Sequence, residues 1–428
     1  MRNIVVVTPW PLQHSGIADY AFNLVQGLIG RIPHIEVYTN CKKPVALPEV
    51  SFTYCDNGMV PDLNEHDVIV YQMGNNSAFH LHMIEILKRH GGIVHLHDMV
   101  LHNMVEFATR RSIDADSYLK LIARWYGEKV RDLVTLLLSK NVMPWNSDIV
   151  TALPLFEEVL QYANSCIVHS DYARRRIIQS LPHLKVYKID QLYNGLSVVE
   201  EKNDPNNLDI GVFGVIAPQK RVDVILKIFS RIIKINKNCK LHIVGEIDDG
   251  YRYITNIPIE YGIKKHVRFY GRVRDAQFHN LLSRMDICLS LRFPTMGETS
   301  AVVMKMLQMG IPVIVNNEGW YSELPDFIDK VPVQECEDHL YDTLLRYVED
   351  FNYLSEKRKK FVSYAKESFN FEDYITCYRN TLLQEYENSL NAPLYKSLGR
   401  ELDRLDLISD DNTVLRKGIV GKLYNVFK

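Results

Sequence analysis

The stretch Leu291–Val315, LRFPTMGETSAVVMKMLQMGIPVIV, admits few folds. An apolar run, Ile287–Leu291, leads into it, and Pro294 ends regular structure there. Gly297-Glu298-Thr299-Ser300 then open a predicted helix, because Glu, Thr and Ser suit the free N–H groups and positive end of a first turn. Val302, Val303, Met306 and Leu307 share one face of that helix. Gly310 sits just past its end, where a left-handed residue commonly stops a helix. Pro312-Val-Ile-Val begins a buried strand. The order is loop, helix, turn, strand. A glycine-flexed loop running into a helix start is a ready anion site. The ligand expected here is phosphorylated and rich in hydroxyl groups, with the Glu298 carboxylate beside the phosphate.

The same alternation fills the rest of the chain. Ile4–Val7 is a short buried strand, followed by the loop TPWPLQHSG. Ala21, Leu24, Val25, Leu28 and Ile29 then recur at helical spacing, and Ile35–Thr39 is the next strand. This is a doubly wound β-loop-α-β unit without G-x-G-x-x-G, which argues against a dinucleotide site. Gly16 either lets the backbone approach a ligand or serves a turn. Val68–Tyr71 leads into Gln72-Met-Gly-Asn-Asn, and Ile93–Leu96 into His97-Asp98. Ligands collect at carboxyl ends of such strands, so His97 and Asp98 are site candidates, with His95 as a packed core residue. Asn75 and Asn76 either bind a hydroxylated acceptor or cap the next helix. Residues 100–165 read as a helical insertion, and Ser165–Ser170 as a strand. The run Arg174-Arg-Arg reads as a solvated helix face.

EEKNDPNN at 200–207 is the expected linker. The pattern then restarts with a strand at Ile210–Phe213, a loop carrying Lys220, a helix over Val222–Asn236 and further strands. The expected domains are 1–199 and 208–370, then a helix over 371–390 returning to the first domain, then a tail over 391–428. Two doubly wound domains are expected to face each other across a ligand cleft. Lys220 is placed to meet the same phosphate as the Gly297–Ser300 segment.

Bulk numbers narrow the class. A chain of 428 residues, 46% hydrophobic and 24% charged, suits two globular domains. A net charge of −2 gives no field for nucleic acid. Seven scattered cysteines without C-x-x-C imply reduced thiols in a cytoplasmic protein and no zinc ribbon. IVVVTPW reads as a first strand and not a signal peptide, and no run approaches a spanning helix. No D-x-D stands at a strand end, so no metal is expected, and Asp248-Asp249-Gly reads as a polar turn. The basic, amphipathic end LRKGIVGKLYNVFK suits either peripheral contact with an anionic membrane or a packed terminal helix.

In this order PWPLQHSGIADYAFNL, YQMGNN, HLHDMVLHN, IVHSDYARR, GVIAPQKRVDVIL, LHIVGE, VRFYGRV, the Leu291–Val315 stretch and GWYSELP resemble the GT-B fold retaining glycosyltransferases of family 4, the group 1 enzymes, over roughly residues 2–390. The resemblance implies a hexosyltransferase whose second domain binds a nucleoside-diphosphate sugar, GDP-, UDP- or dTDP-linked, while the first holds a glycan or lipid-linked acceptor. It implies no cofactor beyond that donor. It implies catalytic or donor roles for His97, Lys220 and Glu298, with Gly16 near phosphate and acceptor. Gly271, Arg272 and Val273 match the loop that contacts the base, and Thr295, Gly297, Thr299 and Ser300 line the phosphate. Two positions depart from the pattern. Val215 stands where the family commonly has arginine, leaving Arg292 or Arg272 to supply the charge. Met306 stands where the second glutamate of E-x7-E would fall, beside Lys305. Mannose transfer in bacterial surface-polysaccharide assembly is the expected setting. The rival readings are a phosphorylase or epimerase on the same architecture and a non-catalytic protein with a degenerate site.

Overall fold

The computed structural model describes residues 3–63, 68–110, 116–199 and 207–404. They form two compact units. One comprises residues up to Asp190 together with those from Glu372 onward, and the other is Gln191–Phe371. The chain crosses at 190–191 because the next residues pack on the second unit: Tyr193 N–H donates to Gln308 Oε1 (3.0 Å) and Val199 N–H to the Met309 carbonyl (2.9 Å). Of the linker expected at 200–207, all but Asn207 lies outside the described residues.

In the first unit the strands are β1 (Asn3–Val7), β2 (His34–Thr39), β3 (Val50–Tyr54), β4 (Val68–Met73), β5 (Ile93–Leu96), β6 (Ser165–Val168) and β7 (Lys185–Lys188). The helices between them are α1 (Gly16–Leu28), α2 (Ser77–His90), α3 (His102–Arg110), α4 (Ser117–Tyr126), α5 (Glu128–Ser139), α6 (Phe156–Leu160) and α7 (Asp171–Ser180). The strands are parallel, in the order β3-β2-β1-β4-β5-β6-β7. Strand β3 was not foreseen. It is a half-exposed edge strand, and an edge does not require the continuous apolar run that marks a buried strand. Helices α3 to α6 form the expected insertion.

The second unit holds β8 (Leu208–Phe213), β9 (Cys239–Val244), β10 (Val267–Gly271), β11 (Ile287–Ser290), β12 (Val313–Asn316) and β13 (Lys330–Val331). Its helices are α8 (Val222–Ile232), α9 (Ile257–Glu260), α10 (Asp275–Leu282), α11 (Ala301–Gln308), α12 (Cys336–Glu349) and α13 (Phe351–Ser368). Strand order is β10-β9-β8-β11-β12-β13, again all parallel. Both sheets are therefore doubly wound, as the pattern predicted, and each reverses its strand order beside its first strand. Packing, not propensity, makes α8. Its β-branched Val222, Ile225, Ile228 and Ile232 each cost about 0.5 kcal/mol in a helix. Burying each against the sheet returns roughly 2 kcal/mol. The helix stops at Ile232, one turn before the expected end.

Helix α14 (Phe371–Arg404) continues past the expected Leu390, and all of it after its first residue belongs to the first unit. The basic segment beyond Arg404 lies outside the described residues. Among the described residues no helix is long and apolar enough to cross a membrane. All seven cysteines are free thiols; six are buried and Cys377 is exposed.

Two glycines let three loops of the second unit meet. Gly214 N–H donates to the Val244 carbonyl (3.0 Å), and Gly245 N–H to the Gly271 carbonyl (2.9 Å). A Cβ on Gly245 would collide with the Gly214 carbonyl oxygen, and its φ of +153° already disfavours a side chain. Gly245→Ala is expected to destabilise the protein by roughly 3 kcal/mol or more, read as a lowered urea midpoint. An unchanged midpoint would contradict this crossing of the backbones.

Candidate functional site

In the second unit the loops after β8 and β11 flank the reversal of strand order. Lys220 ends the single turn Pro218–Lys220. Its Nζ is buried and donates to the Phe213 carbonyl at 2.6 Å. Phe293 N–H donates to the Gln219 carbonyl (2.8 Å), which ties this loop to the one carrying Arg292. The Arg292 backbone donates to Asn316 Oδ1 (2.7 Å), and its guanidinium pairs with the Glu298 carboxylate. The second Glu298 oxygen accepts from Met296 N–H (2.7 Å) and the Thr295 hydroxyl (3.2 Å). Thr295 Oγ1 in turn accepts from Gly297 N–H (3.1 Å), with Gly297 at φ +71°.

That bonding corrects one expectation. Gly297–Thr299 are not the first turn of a helix: α11 begins at Ala301, with Ser300 as its N-cap accepting from Val303 N–H. The Glu298 carboxylate and Thr295 hydroxyl capture the backbone N–H groups ahead of the helix and fold them into a loop. Thr299 Oγ1 is buried and has no partner among the described residues. Of the two arginines considered for the missing charge, Arg292 is the one in the Lys220 cluster. Arg272 is exposed and lies 3.6 Å from Glu246, while Gly271 ends β10 at φ +64° and Val273 follows in the loop. Val215 is 62% exposed. Met306 is fully buried on the core face of α11, so no ligand contact comes from it. Lys305 instead lies over the rings of Tyr193 (4.8 Å) and Phe278 (5.5 Å).

Burial, and next the Arg292 charge, bring the Lys220 ammonium down to about 7, against the pull of Glu298. Glu318, just after β12, was missed. Its Oε2 is buried without a partner among the described residues, and burial followed by the Glu298 charge pushes its carboxyl pKa up. Its position at the carboxyl end of a strand was the available signal.

In the first unit Gly16 is the first residue of α1, behind the cap Ser15, and a Cβ there would meet nothing within 4 Å. Gly74 is closely packed: a Cβ would collide with Ile17 and stand 3.0 Å from Asp98 Oδ2. Asp98 Oδ2 accepts from Asn75 N–H (2.9 Å) and so holds the turn after β4. Asn75 Oδ1 accepts from Met104 N–H (3.1 Å) at the start of α3, and Asn76 Oδ1 from Ala78 N–H (3.0 Å) at the start of α2. Asn76 thus caps the next helix, as one of the two expectations had it, and Asn75 is bonded to the start of a later one.

His97 is buried, with Nε2 2.8 Å from Gln72 Oε1 and Nδ1 3.3 Å from His169 Nε2. His169 Nδ1 donates to the Ile189 carbonyl at 2.8 Å. The His95 ring stacks on His97 at 4.6 Å, and Tyr20 meets all three imidazoles edge-on. Burial pushes the pKa of each imidazole below its ordinary value, His169 to about 4. Sequence reasoning singled out His97 but not His169, which β6 and β5 bring together only in the folded sheet.

Residues 198–368 match the family model described as Glycosyl transferases group 1. Comparison with curated proteins finds no match. Among solved structures, sucrose-phosphate synthase from Thermosynechococcus elongatus is 15% identical with a TM-score of 0.62, covering 91% of this chain and 100% of its own. Anabaena HepE, solved in complex with UDP and glucose, is 14% identical with a TM-score of 0.58, covering 92% and 100%. WaaG, a glycosyltransferase involved in lipopolysaccharide biosynthesis, is 12% identical with a TM-score of 0.55, covering 89% and 99%. These likenesses establish the architecture: two Rossmann-like domains of the GT-B kind. The family match falls within the unit that holds Lys220, Arg292 and Glu298.

The histidine cluster has a pH signature. Imidazoles held neutral below pH 6.5 contribute stability that is complete above that value and is lost as pH falls toward 4, because the unfolded chain binds the protons first. His169 alone accounts for roughly 2 kcal/mol between pH 7 and pH 5. Urea unfolding at the two values measures the difference, and equal stabilities would mean ordinary, solvated histidines.

Proposed function

We propose that this chain is a glycosyltransferase moving a sugar from a nucleoside-diphosphate sugar to a hydroxyl of a glycan or lipid-linked acceptor. The observation that carries the reading is the Lys220–Arg292–Glu298 cluster, two cations and one carboxylate at the strand-order reversal. A diphosphate seated there gains the Lys220 ammonium and the Arg292 guanidinium, fixed before the reaction begins. The amides of Thr299 and Ser300 add donors, Glu298 takes sugar hydroxyls, and Gly271–Val273 meet the base. In this reading those fixed donors stand in for a metal, and the donor is the sole cofactor.

Gly16, Asp98 and His97 form the acceptor side, together with the turn at Asn75 and Asn76, whose side chains are held at helix starts. Both His97 ring nitrogens are engaged, so its main chain is the part offered to a substrate. Transfer proceeds with retention. The bond from the anomeric carbon to the diphosphate oxygen breaks, the acceptor oxygen attacks from the same face, and its proton passes to the departing phosphate. Mannose carried on GDP is the sugar we infer from the resemblance. The UDP bound by HepE makes UDP-linked sugars the next to test. The setting is the cytoplasmic assembly of surface polysaccharide, with the basic C-terminal segment as a peripheral membrane contact.

Titration of Lys220 gives a direct test. In the free protein its ammonium loses a proton as pH rises through about 7, and a bound diphosphate restores it. Binding of UDP or GDP at pH 8 should take up close to one proton in calorimetry with buffers of different ionisation enthalpy. Affinity should weaken by up to about tenfold per pH unit between pH 7 and 9. Lys220→Ala should abolish the uptake and lower sugar-transfer turnover at least tenfold with the fold intact; uptake and turnover preserved in that variant would remove Lys220 from the site.

Glu298→Gln separates the sugar from the diphosphate. Affinity for the nucleotide sugar should fall about tenfold, the loss of a charge-assisted hydrogen bond. Affinity for the nucleoside diphosphate should change much less. Equal losses for both ligands would assign Glu298 to the loop and not to the sugar.

A further inference from the structure

We propose that the His97 imidazole is a fixed tie joining the two places where the chain leaves and re-enters the first unit, and that it transfers no proton. The tie is a continuous line of side chains. It starts at the Ile189 carbonyl, next to the last residue before the crossing at 190–191. It runs through His169 (2.8 Å) to His97 (3.3 Å), then Gln72 (2.8 Å) and the Tyr378 hydroxyl (3.3 Å). Tyr378 stands in α14, two turns past the return crossing at 371–372. His95 Nδ1 also reaches the Tyr378 hydroxyl (3.1 Å), and Tyr20, edge-on to the histidines, bonds Tyr374 one turn earlier in α14.

Proton accounting fixes the tautomers. A carbonyl only accepts, so His169 carries its proton on Nδ1 and offers Nε2 as an acceptor. His97 must then donate from Nδ1, which leaves its Nε2 as an acceptor. As placed, Gln72 turns Oε1 to His97 and Nε2 to Tyr378; exchanging the two ends of the amide puts a donor on that nitrogen and an acceptor on the Tyr378 hydroxyl. The opposite orientation, with Oε1 facing His97, places acceptors at both ends of the line. Two rings would then share three protons, and one would be a buried imidazolium. Burial holds the pKa of each ring below its ordinary value, which favours the neutral arrangement. Both His97 nitrogens are then consumed, and a displacement of its main chain is felt at both crossings.

The nitrogens of His95, His97 and His169 also lie within 4.8 Å of one another, and His95 Nε2 has no partner among the described residues. A metal is nevertheless disfavoured. His97 and His169 have spent their nitrogens on partners, and the His95 and His97 planes are only 25° apart, so their lone pairs do not converge.

Two measurements on the full chain test the proposal without an activity assay, so a failed transfer reaction and a failed tie are told apart. Long-range nitrogen–proton correlation spectra at pH 7.5 should show His97 and His169 as Nδ1–H tautomers. A Nε2–H or doubly protonated His97 would overturn the proposal, as would stoichiometric zinc binding that displaces these signals. Hydrogen exchange followed by mass spectrometry should show that His169→Phe and Tyr378→Phe each raise exchange about fivefold or more at both 187–192 and the first turns of α14. Effects confined to the mutated side would overturn the tie. Should either variant fail to fold, the wild-type tautomers still decide.

Discussion

An ammonium group taken out of water is the constraint around which the second unit is built. Lys220 loses most of its hydration, receives one carbonyl from Phe213, and feels Arg292 and Glu298 pulling in opposite directions. Burial first, and then the Arg292 charge, bring its pKa from 10.5 to about 7, with Glu298 pulling the other way. In the proposed reading, an anion bound at that nitrogen would offset this cost. The neighbouring features serve this arrangement. Gly214 and Gly245 let backbones cross without side chains, and the bond from Phe293 to Gln219 locks the lysine loop to the arginine loop.

The first unit handles buried polarity in the opposite way. Instead of holding a charge, it holds neutral rings whose donors and acceptors are matched along a line from β7 to α14. A neutral network tolerates burial because each lone pair meets a proton.

Much of this was legible in the residues. Short apolar runs alternating with helical periodicity predicted two doubly wound sheets, and both formed. Lys220 was singled out from a loop at a strand end, Glu298 from an expected helix start and Arg292 from the resemblance, and the fold brings the three together. The rest depended on particular hydrogen-bond and charge partners, most of them supplied by segments distant in sequence. The helix after Glu298 starts late because that carboxylate finds partners in its own loop. Asn75 bonds the start of a helix 29 residues further on, and Glu318 is buried where it feels the Glu298 charge.

The chain's own pattern determined strand and helix type, parallel winding and the loops that carry the chemistry, because those follow from local periodicity and from which residues suit a strand end. Tertiary structure alone decided where the chain crosses between units, that His169 joins His97, and that burial pulls the Lys220 pKa well below its ordinary value. These depend on burial and on hydrogen-bond partners that distant segments supply, and no local spacing encodes either.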